Sequence, residues 1–361
     1  MKPWLYFLLC LFLCSCVSAE AQTSTDSLLN KLNKVLADKD VFVKQKQVRI
    51  ENLDKKLSKV SDTRARYNLY ELLYNEYKTF SNDSAYNYAK KLKQTALQLN
   101  DPALLAAAKM KVGFTLISSG MFEETLETLN SIDINSLPDT ARFDYYFLKA
   151  RSYFDWSDFD RNGDYSAIYN PKGIKCVDSA LALSKPGTYN YLASKGLRDL
   201  RIADYPEGVE DYTALLNIKG LTPHQFAINA SCLSFIYEEM GYRDKSINLL
   251  IQAAISDIQS ATKETVAIYK VADYLYKKGD LKNAYTYINQ AIDEANFYGA
   301  RHRQVTISNI LPIIEAQRMS AVEQQRKSLI IYSSIITVLV IFVILFAVII
   351  FMQLKKLRIA D

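Results

Sequence analysis

From Leu329 to Gln353 the chain carries no charged residue, and most positions are Ile, Leu, Val or Phe. At about 1.5 Å of rise per residue, roughly 20 apolar residues span the hydrocarbon core of a bilayer. Only a helix satisfies its own backbone polar groups in lipid without a partner strand. Buried core helices are usually shorter and keep a polar face. The run therefore predicts one transmembrane helix over Leu329–Met352, and every other segment has to be placed on one side of it or the other.

The opposite end predicts which side. Met1-Lys2 begins a short positive region, Trp4 to Cys16 is apolar, and Ala19-Glu20-Ala21 has the small-x-small pattern that signal peptidase cuts. Cleavage after Ala21 would expose Gln22. A second reading is lipidation at Cys16, since Leu13-Cys14-Ser15-Cys16 places Leu, Ser and Cys as a lipoprotein signal needs them. Cys14 is unusual in that box, and a lipid would duplicate the anchor, so simple cleavage is favoured. Either route exports the following residues until Leu329 stops transfer and leaves Lys355, Lys356 and Arg358 in the cytoplasm. Arg326 and Lys327 on the outer flank weaken the charge asymmetry, so the signal decides the orientation. The expected location is a bacterial inner membrane, crossed once, with a periplasmic N-terminal region and a cytoplasmic tail.

The exported part reads as all-α. Glycine and proline are scarce, with 11 and 8 residues, and apolar positions recur at three and four. Self-similarity at a fixed period then appears in three windows. Gly113, Leu116, Gly120, Phe122, Thr125, Leu129 and Ile132 form the first; Ser234, Tyr237, Gly241, Ser246, Leu250 and Ala253 occupy the same ladder in the second; Ala272, Leu275, Gly279, Leu281, Ala284, Ile288 and Ala291 form the third. These resemble tetratricopeptide repeats. Small residues let two antiparallel helices approach, and Gly120, Gly241 and Gly279 supply the turn between them, where positive φ is often needed. Weaker copies run from Leu69 to Leu99 around Ser81-Asn82-Asp83, from Tyr145 to Leu183 with a long insertion, and from Tyr189 to Leu216 around Asp204-Tyr205-Pro206. An amphipathic pair, Ser27–Ala37 and Val41–Val60, precedes them. Roughly six or seven helical pairs would stack as a solenoid held by neighbour contacts. Gly299 to Lys327 continues as a helix into the anchor, with Pro312 expected to kink or restart it.

Composition adds exclusions. The net charge of +5 is modest. Lysines gather between Lys31 and Lys59, but Asp38, Asp40, Glu51 and Asp54 interrupt them, and the compartment argues against nucleic acid. A solvated face of amphipathic helices explains the cluster. Three of five cysteines lie in the signal, leaving Cys176 and Cys232 as expected buried thiols, although an oxidising compartment would permit a disulfide. His224 and His302 have no partner at metal-ligand or catalytic spacing, and no nucleophile motif, phosphate-binding glycine loop or zinc cluster appears. No enzyme activity and no cofactor are expected.

One stretch, Asp155 to Asn170, touches on metal chemistry. Asp158, Asp160, Asn162, Gly163 and Ser166 match positions 1, 3, 5, 6 and 9 of a calcium loop, with Asp164 offering a carbonyl. Position 12 is Tyr169, which cannot replace the bidentate Glu, and Tyr165 stands where an aliphatic residue is usual. A polar insertion between repeat helices accounts for the same residues. Tyrosine is abundant at 25 residues, and Trp156 is the one tryptophan beyond the signal. Tyrosines along a concave face could bind sugars or an extended peptide, but filling the large repeat positions is the plainer account.

The segments Asp26-Ser27-Leu28-Leu29, Val41-Phe42-Val43-Lys44-Gln45-Lys46 and Arg49-Ile50-Glu51-Asn52-Leu53, with the repeats, the anchor and Gln353-Leu354-Lys355-Lys356-Leu357, resemble the Bacteroidetes membrane-spanning regulators typified by the starch-utilisation regulator. The resemblance implies a periplasmic repeat domain, one membrane helix, and a cytoplasmic coiled coil with a helix-turn-helix. It also implies a sensor of a periplasmic cue, such as a glycan breakdown product, that controls transcription of a nutrient-uptake locus. The sequence departs from that pattern by ending at Asp361, where Leu357-Arg358-Ile359-Ala360-Asp361 looks like a helix start without a stop signal, as expected of a truncation. The expected layout is a signal at 1–21, N-terminal helices at 22–62, a solenoid at 63–298, a juxtamembrane helix at 299–328, the anchor at 329–352 and a tail at 353–361. Expected partners are a peptide, a partner protein or an oligosaccharide in the periplasm, the membrane through 329–352, and a second copy of the chain, with no nucleic acid bound by this chain. The alternative function is a membrane-tethered scaffold for envelope assembly.

Overall fold

The computed structural model describes residues 25–160, 163–264, 266–299 and 301–360; the segment 1–21, with Cys16, and the terminal Asp361 lie outside the described residues. Among the described residues the chain is helical, without a strand. The elements are α1 (25–37), α2 (Lys39–Leu57), α3 (Thr63–Tyr77), α4 (Asn82–Gln98), α5 (Pro102–Ser118), α6 (Phe122–Asn130), a short 3-10 turn at Ile134–Ser136, α7 (Asp139–Asp160), α8 (Gly163–Ala182), α9 (Tyr189–Arg201), α10 (Tyr205–Leu216), α11 (Pro223–Glu239), α12 (Arg243–Gln259), α13 (Ala267–Lys277), α14 (Leu281–Tyr298) and α15 (Arg301–Ala360). From α3 to α14 the helices pair antiparallel and stack, which is the tetratricopeptide-like solenoid that the sequence predicts.

Local chemistry sets the boundaries. Asp62, Asp101 and Asp280 cap α3, α5 and α14 by accepting from the backbone N–H of Ala65, Leu104 and Asn283. Thr222 and Gln225 form a reciprocal capping box at the start of α11, with Pro223 in the first turn. Gly120, Gly241 and Gly279 take φ of 83°, 82° and 84° at the turns between paired helices. The rest of the repeat signature lies where paired helices meet. Gly113 faces Leu129 closely, Thr125 Oγ1 reaches Gly113 O at 3.5 Å, and the hydroxyls of Ser234 and Ser246 meet at 3.0 Å. Ala253, Ala272, Ala284 and Ala291 are buried.

Three features differ from the sequence expectation. The polar stretch Asp155–Asn170 is no long insertion, because α7 reaches Asp160 and α8 begins at Gly163. Its aromatic residues supply the reason. Trp156 stacks on Tyr169 at 4.4 Å between ring centroids and on Phe122 at 5.9 Å, so this part of α7 and α8 has an apolar face to pack. Pro312, expected to kink or restart the helix, lies inside α15 and does not restart it. The N-terminal pair, expected only to precede the stack, closes it: Leu32 and Val35 of α1 share a core with Ile251 and Ile255 of α12, Val271 of α13 and Ile288 of α14. Ile50 of α2 packs with Leu73, Phe80 and Ala261.

Helix α15 begins on the array, with Ile307 and Ile314 buried. It then leaves the array, and from Leu329 to Met352 its large apolar side chains are exposed. It is the one described helix long and apolar enough to cross a membrane, with a mean hydropathy of 3.5 in its most apolar window.

Candidate functional site

Closure of the array brings the α12–α13 connector to the centre of the molecule. Ala261 ends α12 in the left-handed region at φ 50°, and the next residues cross to the opposite end of the chain. The backbone N–H of Lys263 donates to Thr79 O at 2.6 Å, and that of Glu264 to the same oxygen at 3.3 Å. The ammonium of Lys46 on α2 lies 3.4 Å from each of Thr79 Oγ1, Ser260 O and Ala261 O. Lys263 Nζ pairs with Glu294 Oε1 at 3.0 Å, Gln290 donates to that same oxygen at 2.8 Å, and Lys39 donates to Gln290 Oε1 at 2.6 Å. Polar groups of α2 and of the α3–α4 turn are thus sewn to α14 and the α12–α13 connector.

Glu264 is the hub of this connector, with a side chain only 4% exposed. Its Oε1 accepts from Arg151 Nη2 of α7 at 3.0 Å, from Arg303 Nη2 of α15 at 3.3 Å, and from Ser118 Oγ of α5 at 3.3 Å. Burial opposes its charge, but the two arginines outweigh burial and hold its pKa below the usual range. Arg151 also bonds Asp155 Oδ2 at 3.1 Å. Burial works against its charge too, and Asp155 and Glu264 overcome it and raise its pKa.

The charges continue past Asp155. Arg201 of α9 grips Asp158 with two bonds, at 2.7 and 2.8 Å, while its guanidinium lies 4.4 Å from the Phe154 ring centre. Asp155 adds to the field on Arg201, and Asp158 to that on Lys270 of α13. Arg303 is a further neighbour of Lys270, and its repulsion adds to burial in lowering that pKa. Ion pairs thus join Asp155, Arg151, Glu264 and Arg303 in one chain and Arg201 with Asp158 in another, and Lys270 and the buried Asp257 are further charge neighbours, so that this circuit of charges draws on α7, α9, α12, α13, α15 and the connector.

Sequence spacing singled out none of the four cations, nor Glu264. Arg151, Arg201 and Lys270 are single charges between apolar or small neighbours, as in Ala150-Arg151-Ser152, while Glu264 follows Lys263 and Arg303 stands in Arg301-His302-Arg303-Gln304, where each reads as part of a solvated polar stretch. Of the calcium-loop residues, Asp158 is the one that joins the circuit. Asp160 ends α7, Asp164 lies in the first turn of α8, Ser166 accepts from Ser157 at 3.0 Å, and Asn162 lies outside the described residues. The glycines and alanines of the repeat signature lie at helix–helix contacts and turns away from this circuit.

His224 does have a neighbour. Its Nδ1 is 3.8 Å from Oδ1 of the buried Asp257, whose pKa burial pushes up to about 6 against the opposing effect of His224. Cys176 and Cys232 are free, and burial raises both thiol pKa values, the opposite of an activated nucleophile. What the circuit does is hold a buried carboxylate, Glu264, between two guanidinium groups from α7 and α15.

Residues 36–309, about three quarters of the chain, match the family described as the SusR N-terminal TPR domain. The chain belongs to that family. All eight residues of the circuit fall inside the matched region of this SusR-type repeat domain, including Arg303 on the helix that leads to the anchor. No curated protein matches the chain. Among solved structures, it is similar to a STAND signal-transduction ATPase with a tetratricopeptide repeat sensor from Pyrococcus horikoshii, at 17% identity and a TM-score of 0.41, covering 79% of this chain and 42% of that one. It is also similar to the APC/C Cut9–Hcn1 hetero-tetramer, at 12% identity and a TM-score of 0.37, covering 80% and 55%. A third is the TPR2AB domain of yeast Sti1 in complex with pHSP90, at 14% identity and a TM-score of 0.31, covering 79% and 98%. The chain spans about half the length of the first two.

Proposed function

We propose that this SusR-type domain is the periplasmic sensor and interaction module of a single-pass inner-membrane regulator, and that it responds to a periplasmic cue such as a glycan fragment by altering transcription. In this reading residues 1–21 direct export, 22–298 form the sensing array, 299–328 link it to the span 329–352, and 353–361 face the cytoplasm. The reading is supported above all by one observation: Arg151 of the array and Arg303 of the membrane-directed helix share a single oxygen of Glu264. A cue that favours one arrangement of Glu264 biases the position of α15, and it can bias it only by as much as its affinity differs between the two arrangements.

Two measurements test it. Alkaline phosphatase fused after Ser320 is expected to be active in cells and fused after Asp361 to be inactive; the reverse pattern removes the periplasmic assignment. Arg303→Ala in the native locus is expected to change transcript levels of neighbouring uptake genes by several-fold, and unchanged transcripts with or without the cue would end the regulatory reading.

A further inference from the structure

Helix α15 runs back along α14 on its way to the span. Gln304 Nε2 donates to Ala295 O at 3.2 Å, and further along the helix the guanidinium of Arg318 lies 3.8 Å from the ring centre of Tyr285. The two helices are therefore antiparallel, and α15 passes the start of α14 as it leaves the array. Leu281, the first residue of α14, precedes Tyr285 by one turn, about 6 Å further along this path. Leu329 follows Arg318 by three turns, about 16 Å further along the same path. The α13–α14 turn is thus held about 10 Å from the level at which the apolar run begins.

The polar layer of a bilayer reaches about 5–8 Å beyond the hydrocarbon on each side. The four-carbon stem of a lysine covers what remains. Three such stems stand at this turn: Lys277, Lys278 and Lys282 are all exposed, the side chain of Lys277 by 70%. Two carboxylates accompany them. Asp273 pairs with Lys277 at 2.7 Å, and Asp280 is occupied in capping α14. Beyond Arg318, α15 adds Arg326 and Lys327 against Glu323. Five cations therefore meet three carboxylates in the layer next to the span. The α11–α12 turn beside it lacks this excess, since Arg243 and Lys245 there are outnumbered by Glu238, Glu239 and Asp244. At the start of α1, Asp26 offsets Lys31.

We propose that the α13–α14 turn is a membrane-contact surface, with Lys277, Lys278 and Lys282 bound to the phosphate groups of lipids around the anchor. The proposal rests on the reading that 329–352 spans the bilayer, and it gives the array a second foothold beside α15. With two footholds the array cannot pivot freely about the helix that leaves it, so its tilt on the membrane is fixed.

The test uses the full chain in vesicles of three parts phosphatidylethanolamine to one part phosphatidylglycerol, with the photoreactive residue p-benzoylphenylalanine in place of Lys282. The same residue is placed separately at Lys219, which precedes α11 at the far edge of the array, and at Val340 in the span. After irradiation, mass spectrometry of the peptides reads covalent phospholipid adducts. The yield at 282 is expected to exceed that at 219 at least fivefold. Lys277→Glu with Lys278→Glu is expected to lower the yield at 282 at least threefold while the yield at 340 stays unchanged. Adducts at 340 without adducts at 282, equal yields at 282 and 219, or a yield at 282 that the charge reversals leave intact each overturn the proposal while leaving the anchor standing. No adduct at 340 removes the anchor reading itself, and the proposal with it.

Discussion

Tyr287 of α14 donates its phenolic hydrogen to Asn33 Oδ1 of α1 at 2.7 Å, across 254 positions of sequence. Around this bond the first helix fills the groove of the last repeats, with Leu32 fully buried. Leu32→Ala removes core volume at the seam and is expected to cost about 3 kcal/mol, within the 2–5 kcal/mol typical of such truncations. Urea denaturation of the full chain measures it, and a loss below about 1 kcal/mol would mean that α1 is not part of the core.

Glu264→Gln leaves two arginines facing a neutral amide in a buried place. Removing one partner of a buried ion pair typically costs about 3–5 kcal/mol, and the loss here should appear first at the root of α15. Hydrogen exchange of residues 301–312 is expected to accelerate more than that of α5 or α11; uniform acceleration would argue against a local clamp.

Lys46 is buried, and its pKa is lowered to about 8, with burial the main cause. The folded state therefore binds this proton more weakly than the unfolded chain does. Stability should rise between pH 8 and the unfolded lysine value near 10.4, by up to about 3 kcal/mol, and be flat below pH 8 for this group. Lys46→Met should abolish the rise, which equilibrium unfolding at a series of pH values would show.

Asp257 has the opposite sign. Its pKa is raised to about 6, so the folded state holds the proton more tightly and stability from this group falls as pH rises from the unfolded value, near 3.9, through 6. Asp257→Asn should remove that loss and stabilise the chain at pH 7.5 by up to about 3 kcal/mol. An Asn variant less stable than the parent at pH 7.5 would show that the His224 contact outweighs burial.

Gly173 in α8 lies against the buried ring of Phe154, and a Cβ there would overlap the ring atoms. Gly173→Ala is expected to cost about 1–3 kcal/mol through overpacking. Gly163→Ala, at a position open to solvent, should be neutral or stabilising by a few tenths of a kcal/mol. Melting temperatures of the two variants check the contrast.

The repeats were legible because their chemistry is local: small residues at Gly113, Ser234 and Ala272, and a glycine turn seven positions later, recur within each helical pair. The long apolar C-terminal helix was legible for the same reason. The circuit was not, because its members come from five helices and a connector, and a lone Arg151 or Lys270 in a helix reads like any solvated charge. Closure was hidden likewise, since Leu32 and Val35 make an ordinary amphipathic stripe whose partner helix periodicity cannot name. The aromatic residues around Trp156 were visible, but the Asp, Asn and Gly between them suggested a long polar insertion, whereas their packing carries α7 to Asp160 and starts α8 at Gly163.

An open repeat array frays from its ends and tolerates gain or loss of a unit, because each unit answers only to its neighbours. Here the seam of α1 and α2 against α12, α13 and α14 leaves no free end. Adding or deleting one helical pair would misplace Asn33 from Tyr287 and Lys46 from Ala261 together, so the number of pairs is set by the geometry of the seam and not by the strength of any single repeat.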